Sequence, residues 1–120
     1  MNEILQKIRN LKLPKHWEDE GVLPPNEIAI NNAYRCCEFI YNRYGIKPSF
    51  IACTVVSGLF MSYKGTHYKL VFEIDNENDI GVIVNDQLKK EIVHNEDIKD
   101  IENSEALKIF MRKEGYVKQQ

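Results

Sequence analysis

Apolar and polar side chains alternate from Thr66 to Asp75. Tyr68, Leu70, Phe72 and Ile74 share one side, and His67, Lys69, Val71 and Glu73 share the other. A period of two over eight residues is the pattern of a half-buried β-strand. Flanking stretches carry the same period. Ser49 to Val55 is an apolar, β-rich run, and Leu59 to Lys64 sets Leu59, Met61 and Tyr63 against Phe60, Ser62 and Lys64. Ser57-Gly58 and Lys64-Gly65 punctuate these runs as turns. The turn Asp75 to Asp79 leads into Ile80 to Val84, and Asn85-Asp86 into a less regular run, Leu88 to Val93. Connections this short force neighbouring strands to be antiparallel, so the centre of the chain reads as a meander of about four strands, with Leu88 to Val93 as a weaker fifth.

The period changes to that of a helix on both sides of the meander. Ile30, Ala33, Cys37, Ile40 and Tyr44 recur at spacings of three and four within residues 26–44, which makes one apolar stripe. Pro24-Pro25 stiffens the approach, Asn26 is the expected N-cap, and Gly45 suits the left-handed residue that ends a helix. Ile4, Leu5, Ile8 and Leu11 predict a short amphipathic helix over 2–11, ended by Leu13-Pro14. Asn103 or Ser104 caps a last helix over 104–114, with Leu107, Phe110 and Met111 inward and Gly115 ending it. Tyr116 to Gln120 are expected to fray. Residues 13–26 read as a loop that carries the only tryptophan, Trp17, and residues 95–103 as polar and irregular.

The fold class is therefore α+β: an antiparallel meander of about four strands, the long helix 26–44 packed on one face, and short N- and C-terminal helices. Its expected core is Ile30, Ala33, Cys37, Ile40, Phe50, Ala52, Met61, Tyr68, Leu70, Phe72, Ile74, Val82 and Val84. No repeat, low-complexity segment or linker divides residues 1–120, and 120 residues suit a single domain.

Composition narrows the function classes. The net charge of −2 is spread evenly along the chain, which argues against a nucleic-acid or anionic-membrane partner. No run approaches the ~20 apolar residues of a membrane span, and the N-terminus lacks a signal-peptide run. Three cysteines, two of them adjacent (Cys36-Cys37 and Cys53), do not make a disulfide framework. One of the adjacent pair is expected to face away from the core. Free thiols fit a reducing compartment, so the expected location is cytoplasmic.

Each candidate for chemistry is fragmentary. Asp75, Glu77 and Asp79 have the odd-position carboxylates of a calcium loop, but Ile80 and Asp86 stand where that loop needs Gly and Glu. A solvated turn explains them better, and no metal or cofactor is expected. His16, His67 and His94 form no ligand pair. His67 and Glu73 lie on the same outer strand face, which offers a base and a supporting carboxylate without a nucleophile. No glycine-rich phosphate loop occurs. The aromatic surplus of Trp17, Tyr34, Tyr41, Tyr44 and Tyr116 exceeds what one sheet face needs and suggests a contact surface.

The order Leu13-Pro14, Trp17, Gly21, Pro24-Pro25, then Ala29, Ile30 and Ala33, then Pro48, Gly58 and the strands L-F-M-S-Y and Y-K-L-V-F-E-I-D carries a resemblance. It resembles a loose group of small bacterial and phage-borne α+β proteins of unassigned function, over roughly residues 13–84. Such proteins are sometimes encoded near mobile elements or toxin–antitoxin modules. The resemblance implies a binding protein and transfers no catalytic residues. Tyr63 stands at the group's aromatic strand position, Glu18-Asp19-Glu20 fills a loop that is often glycine-rich, and the last helix has no counterpart. The expected function is a non-enzymatic protein-binding module, of antitoxin, immunity or phage-accessory kind, contacting another protein or itself through Trp17, Tyr34, Tyr41 and Tyr44. The alternative is a small-molecule binder or small hydrolase that uses the sheet face around His67 and Glu73.

Overall fold

A computed structural model describes residues 1–118. In chain order the helices are α1 (Asn2–Arg9), α2 (Lys15–Asp19) and α3 (Glu27–Tyr44). The strands are β1 (Phe50–Thr54), β2 (Gly58–Lys64), β3 (Tyr68–Asp75), β4 (Ile80–Asp86) and β5 (Glu91–Ile98). A 3-10 turn at Ile101–Asn103 and α4 (Glu105–Glu114) follow. The five strands form one antiparallel sheet in the order β1-β2-β3-β4-β5. The fold is α+β, with five strands where about four, with a weaker fifth, are expected.

The expected caps are present. Asn26 Oδ1 accepts a hydrogen bond from Ala29 N at 3.0 Å, and Gly45 closes α3 in the left-handed region. Ser104 Oγ accepts from Leu107 N at 3.1 Å, and Gly115 closes α4 in the same way. α3 packs on β2 and β3 and is flanked by α1 and the 3-10 turn, while α4 packs on β3, β4 and β5. Leu59, Met61, Tyr63, Leu70, Phe72, Ile74, Val82 and Val84 point from the sheet into the layer formed by Ile8, Ala33, Cys37, Ile40, Leu107 and Phe110. Sheet and helices bury their apolar sides against each other, the two-layer solution open to any one-sided sheet.

Five expectations are corrected. β1 has the opposite register: Cys53 is buried, Ile51 packs on the core, and Phe50 and Ala52 point away from it. Phe50 is 55% exposed. Its position opposite Ser62 fixes it on the side away from Met61 and Tyr63. The last strand begins at Glu91 and runs through Ile98, so residues 95–98 are strand and residues 87–90 form the turn. Residues 15–19 of the expected loop are helical. Cys36 and Cys37 are both buried, because α3 is covered on its flank by the 3-10 turn as well as below by the sheet. Tyr116 is held rather than frayed, with its ring centroid 6.0 Å from that of Phe110; Gln119 and Gln120 lie outside the described residues.

Two long-range latches lock the layers. Asn76 Oδ1 accepts from Asn26 N at 2.9 Å and Asn76 Nδ2 donates to Pro24 O at 3.0 Å, which fixes the entry to α3 on the β3–β4 turn. At the other end of the sheet, both oxygens of Glu114 accept backbone N–H bonds from the β2–β3 turn. The distances are 2.7 Å from Thr66, 2.9 Å from His67 and 2.8 Å from Tyr68.

Candidate functional site

All the helix–sheet packing involves one face of the sheet, and among the described residues no helix covers the other. Side chains on that open face follow from the strand registers. Phe50, Ser62, Val71, Ile83 and Asn95 stand side by side across all five strands. One row towards the β3–β4 turn stand Ala52, Phe60, Glu73, Gly81 and Asp97; one row the other way stand Lys64, Lys69, Asn85 and Ile92. A bulge between Val84 and Asn85 leaves Val93 without a partner and puts Ile92 opposite Asn85. The rings of Phe50 and Phe60 meet at 5.5 Å between centroids, and Ile92 is 61% exposed. Large apolar groups are thus gathered on one sheet face in contact with water.

The open face is electrically lopsided. Lys64 and Lys69 lie towards the β2–β3 turn, and Glu73, Asp75 and Asp97 lie towards the β3–β4 turn. Neither Lys69 nor Glu73 has an ion-pair partner among the described residues. Beside the carboxylates is a groove of ≈ 600 Å³, walled by Thr54, Val55, Val56, Glu73, Asp75 and Asp97. Ligand oxygens of Asp75, Glu77 and Asp79 come within 4.8 Å of one another. Asp75 Oδ1 already accepts the N–H groups of Glu77 at 2.9 Å and Asp79 at 3.0 Å. That side chain folds the turn.

The residues expected to bind a ligand do not meet. His67 lies in the turn before β3, and Glu73 is six residues further along the strand, about 20 Å away at the rise of a β-strand. The aromatic residues expected to bind a partner are dispersed. Tyr34 and Tyr44 are half-buried and pack against the core. Tyr41 is exposed, with Lys47 Nζ 5.5 Å above its ring. Trp17 is half-buried on α2, edge-on to His16 at 6.0 Å. The apolar residues that do cluster, Phe50, Phe60, Val71, Ile83 and Ile92, escaped the expected site. Their common face appears only once strand order and the register of β1 and β5 are known.

Several groups that could carry chemistry are held in structural roles. Burial pushes the Cys36 thiol up to about 12, helped by neighbouring Cys37, and the Cys37 thiol up to about 11. Thiols so poorly ionised are not nucleophiles. Burial also works against ionisation of Glu96, but bonds from Ser104 Oγ, Ala106 N and His94 outweigh it and lower the carboxyl below its usual value. Glu96 Oε2 accepts from Ser104 Oγ at 2.7 Å and Ala106 N at 3.1 Å, which anchors the N-terminus of α4 to β5. No protein-family model, curated protein or solved structure matches the chain. Among the described residues no helix is long and apolar enough to cross a membrane.

Proposed function

We propose that the protein is a non-enzymatic protein-binding module and that its binding surface is the open face of the sheet. The observation that carries this reading is the uncovered row of Phe50, Val71 and Ile83, with Phe60 and Ile92 beside it, on the side away from every helix. The aromatic residues of α2 and α3 become secondary, since two of the four are engaged by the core. A cytoplasmic antitoxin-, immunity- or phage-accessory-like role belongs to this reading. The test is capture by immobilised protein, wild type against Val71→Asp, from the proteome of the source cell. A polypeptide retained by the wild type and lost with Val71→Asp supports the proposal; equal retention by both removes it.

A second reading, a small-molecule binder, is favoured by the ≈ 600 Å³ groove beside Glu73. With His67 at the other end of β3, this reading contracts to binding without hydrolysis. The groove walls combine carboxylates with Val55 and Val56, so the fitting ligand is a small organic cation. Thermal denaturation with a series of alkyl diamines tests it, because a ligand that binds only the folded state raises the midpoint with concentration. A midpoint unmoved at millimolar amine rules it out.

A further inference from the structure

We propose that the occupant of the open face is a second copy of this chain, docked face to face about a two-fold axis that crosses the strands through the Val71 row. This rests on the reading of that face as the binding surface and names its partner. Charge register selects the arrangement. A two-fold axis that brings two sheets face to face must lie in the plane between them. If it ran along the strands, it would preserve the rows and stack Glu73 on its own copy, with Lys69 likewise opposite Lys69. Like charges so placed repel. If it runs across the strands through Phe50, Val71 and Ile83, each apolar residue of that row meets its own copy. The rows on either side then exchange, so Lys69 of each copy stands over Glu73 of the other, and Lys64 over Phe60. One placement therefore closes the apolar row, forms two symmetric ion pairs from charges that lack partners among the described residues, and sets an ammonium over an aromatic ring.

The turns at the ends of the sheet extend the pattern. The β3–β4 turn carries Asp75, Glu77 and Asp79, while the β4–β5 turn at the opposite end carries Lys89 and Lys90. Asp86 lies at that basic end, but its Oδ1 accepts the N–H groups of Leu88 and Lys89 at 3.0 Å. Packed sheets depart from alignment by about 30°, which the central Lys69–Glu73 pairs tolerate better than the rim. Strands ~4.8 Å apart and ~20 Å long give a face of about 500 Å² per copy. Two such faces total about 1,000 Å², the lower edge of a specific interface. The dimer is accordingly weak and concentration-dependent, with a dissociation constant in the micromolar range or above.

The experiment is sedimentation equilibrium of the full chain from about 10 µM to about 1 mM, with each variant's urea midpoint measured alongside. The wild type should move from the chain mass of 14.1 kDa towards twice that value. Lys69→Glu and Glu73→Lys should each weaken association about tenfold or more, because each places two like pairs in contact. The double reversal, Lys69→Glu with Glu73→Lys, should restore it to within about threefold of wild type. Val71→Asp should be monomeric; Phe50→Asp, at an exposed position, takes its place if Val71→Asp does not fold.

A wild type monomeric at the highest concentration overturns the proposal. So does a dimer indifferent to Val71→Asp, or one in which the double reversal is no better than either single change. A monomeric wild type whose cellular capture is still lost with Val71→Asp overturns this inference alone and leaves the binding-surface reading standing. A monomeric wild type that retains the same polypeptides as Val71→Asp removes the two together.

Discussion

The Glu114 clamp on the β2–β3 turn gives the sharpest test of how the helical layer holds the sheet. The perturbation is Glu114→Gln. In the native protein the two carboxylate oxygens accept three backbone N–H groups, from Thr66, His67 and Tyr68. Glutamine has the same shape but one acceptor oxygen, and its amide N–H₂ must face a donor. Hydrogen bonds to a charged group contribute about 1.5–3 kcal/mol each, and water at this half-exposed site replaces part of what is lost. The net cost should be about 2–3 kcal/mol, or a fall in Tm of about 10 °C for a domain of this size.

The dependence on pH identifies the cause. Burial raises the Glu114 pKa, but the N–H bonds from His67, Thr66 and Tyr68 outweigh it and hold the carboxyl below its usual value of 4.5. A group with a depressed folded pKa stabilises above its unfolded pKa and loses that contribution as pH falls through the folded value. The gap between wild type and Glu114→Gln should thus be full at pH 7 and narrow as pH falls below the unfolded carboxylate value of about 4.3 and through the lower folded one. Thermal unfolding followed by circular dichroism across that range is the assay. Equal midpoints at pH 7, or a gap undiminished at pH 3, would show that the Glu114 carboxylate does not hold the turn.

Other predictions follow from the same geometry. Gly58→Ala should cost about 3 kcal/mol in urea denaturation, because its Cβ would press into the backbone at Ile74 and Asp75, which a strand cannot move aside. Phe72→Ala should cost about 3–5 kcal/mol and Phe50→Ala less than about 1 kcal/mol, since Phe72 is wholly buried and Phe50 largely exposed. Similar costs at the two positions would contradict the register of β1. Cys36 and Cys37 should not react with a disulfide reagent at pH 8 in the native state, and all three cysteines should react after unfolding, because burial holds the two thiols near 12 and 11.

How much of this was legible varies with how local its cause is. β3 and α3 could be read directly because Leu70, Phe72 and Ile74, and Ile30, Ala33, Cys37 and Ile40, repeat at the period of their element. β1 could not. Phe50, Ile51, Ala52 and Cys53 are all apolar, so either register is consistent with the pattern, and pairing with β2 decides it. β5 lacked the signal for the opposite reason. Its helix-facing positions include His94 and Glu96, opposite Val84 and Val82, and Glu96 holds the end of α4 instead of filling the core. The latches at Asn76 and Glu114 join residues about fifty positions apart, beyond the reach of any local pattern. The candidate site shares that difficulty. Lys69, Val71 and Glu73 were recognised as an outer face, but the stripe running from Phe50 to Ile92 exists only through the strand order.

Docking through the open face is tested by the solvent accessibility of the Val71 and Ile83 methyl groups, measured by NMR with a soluble paramagnetic probe in dilute and in concentrated protein. If the open face docks another copy, both methyl signals should be attenuated by the probe in dilute solution and protected at millimolar concentration. Helix-side methyls such as Leu107 should be protected throughout. Equal attenuation of Val71 and Ile83 at both concentrations, with no partner added, would contradict the account.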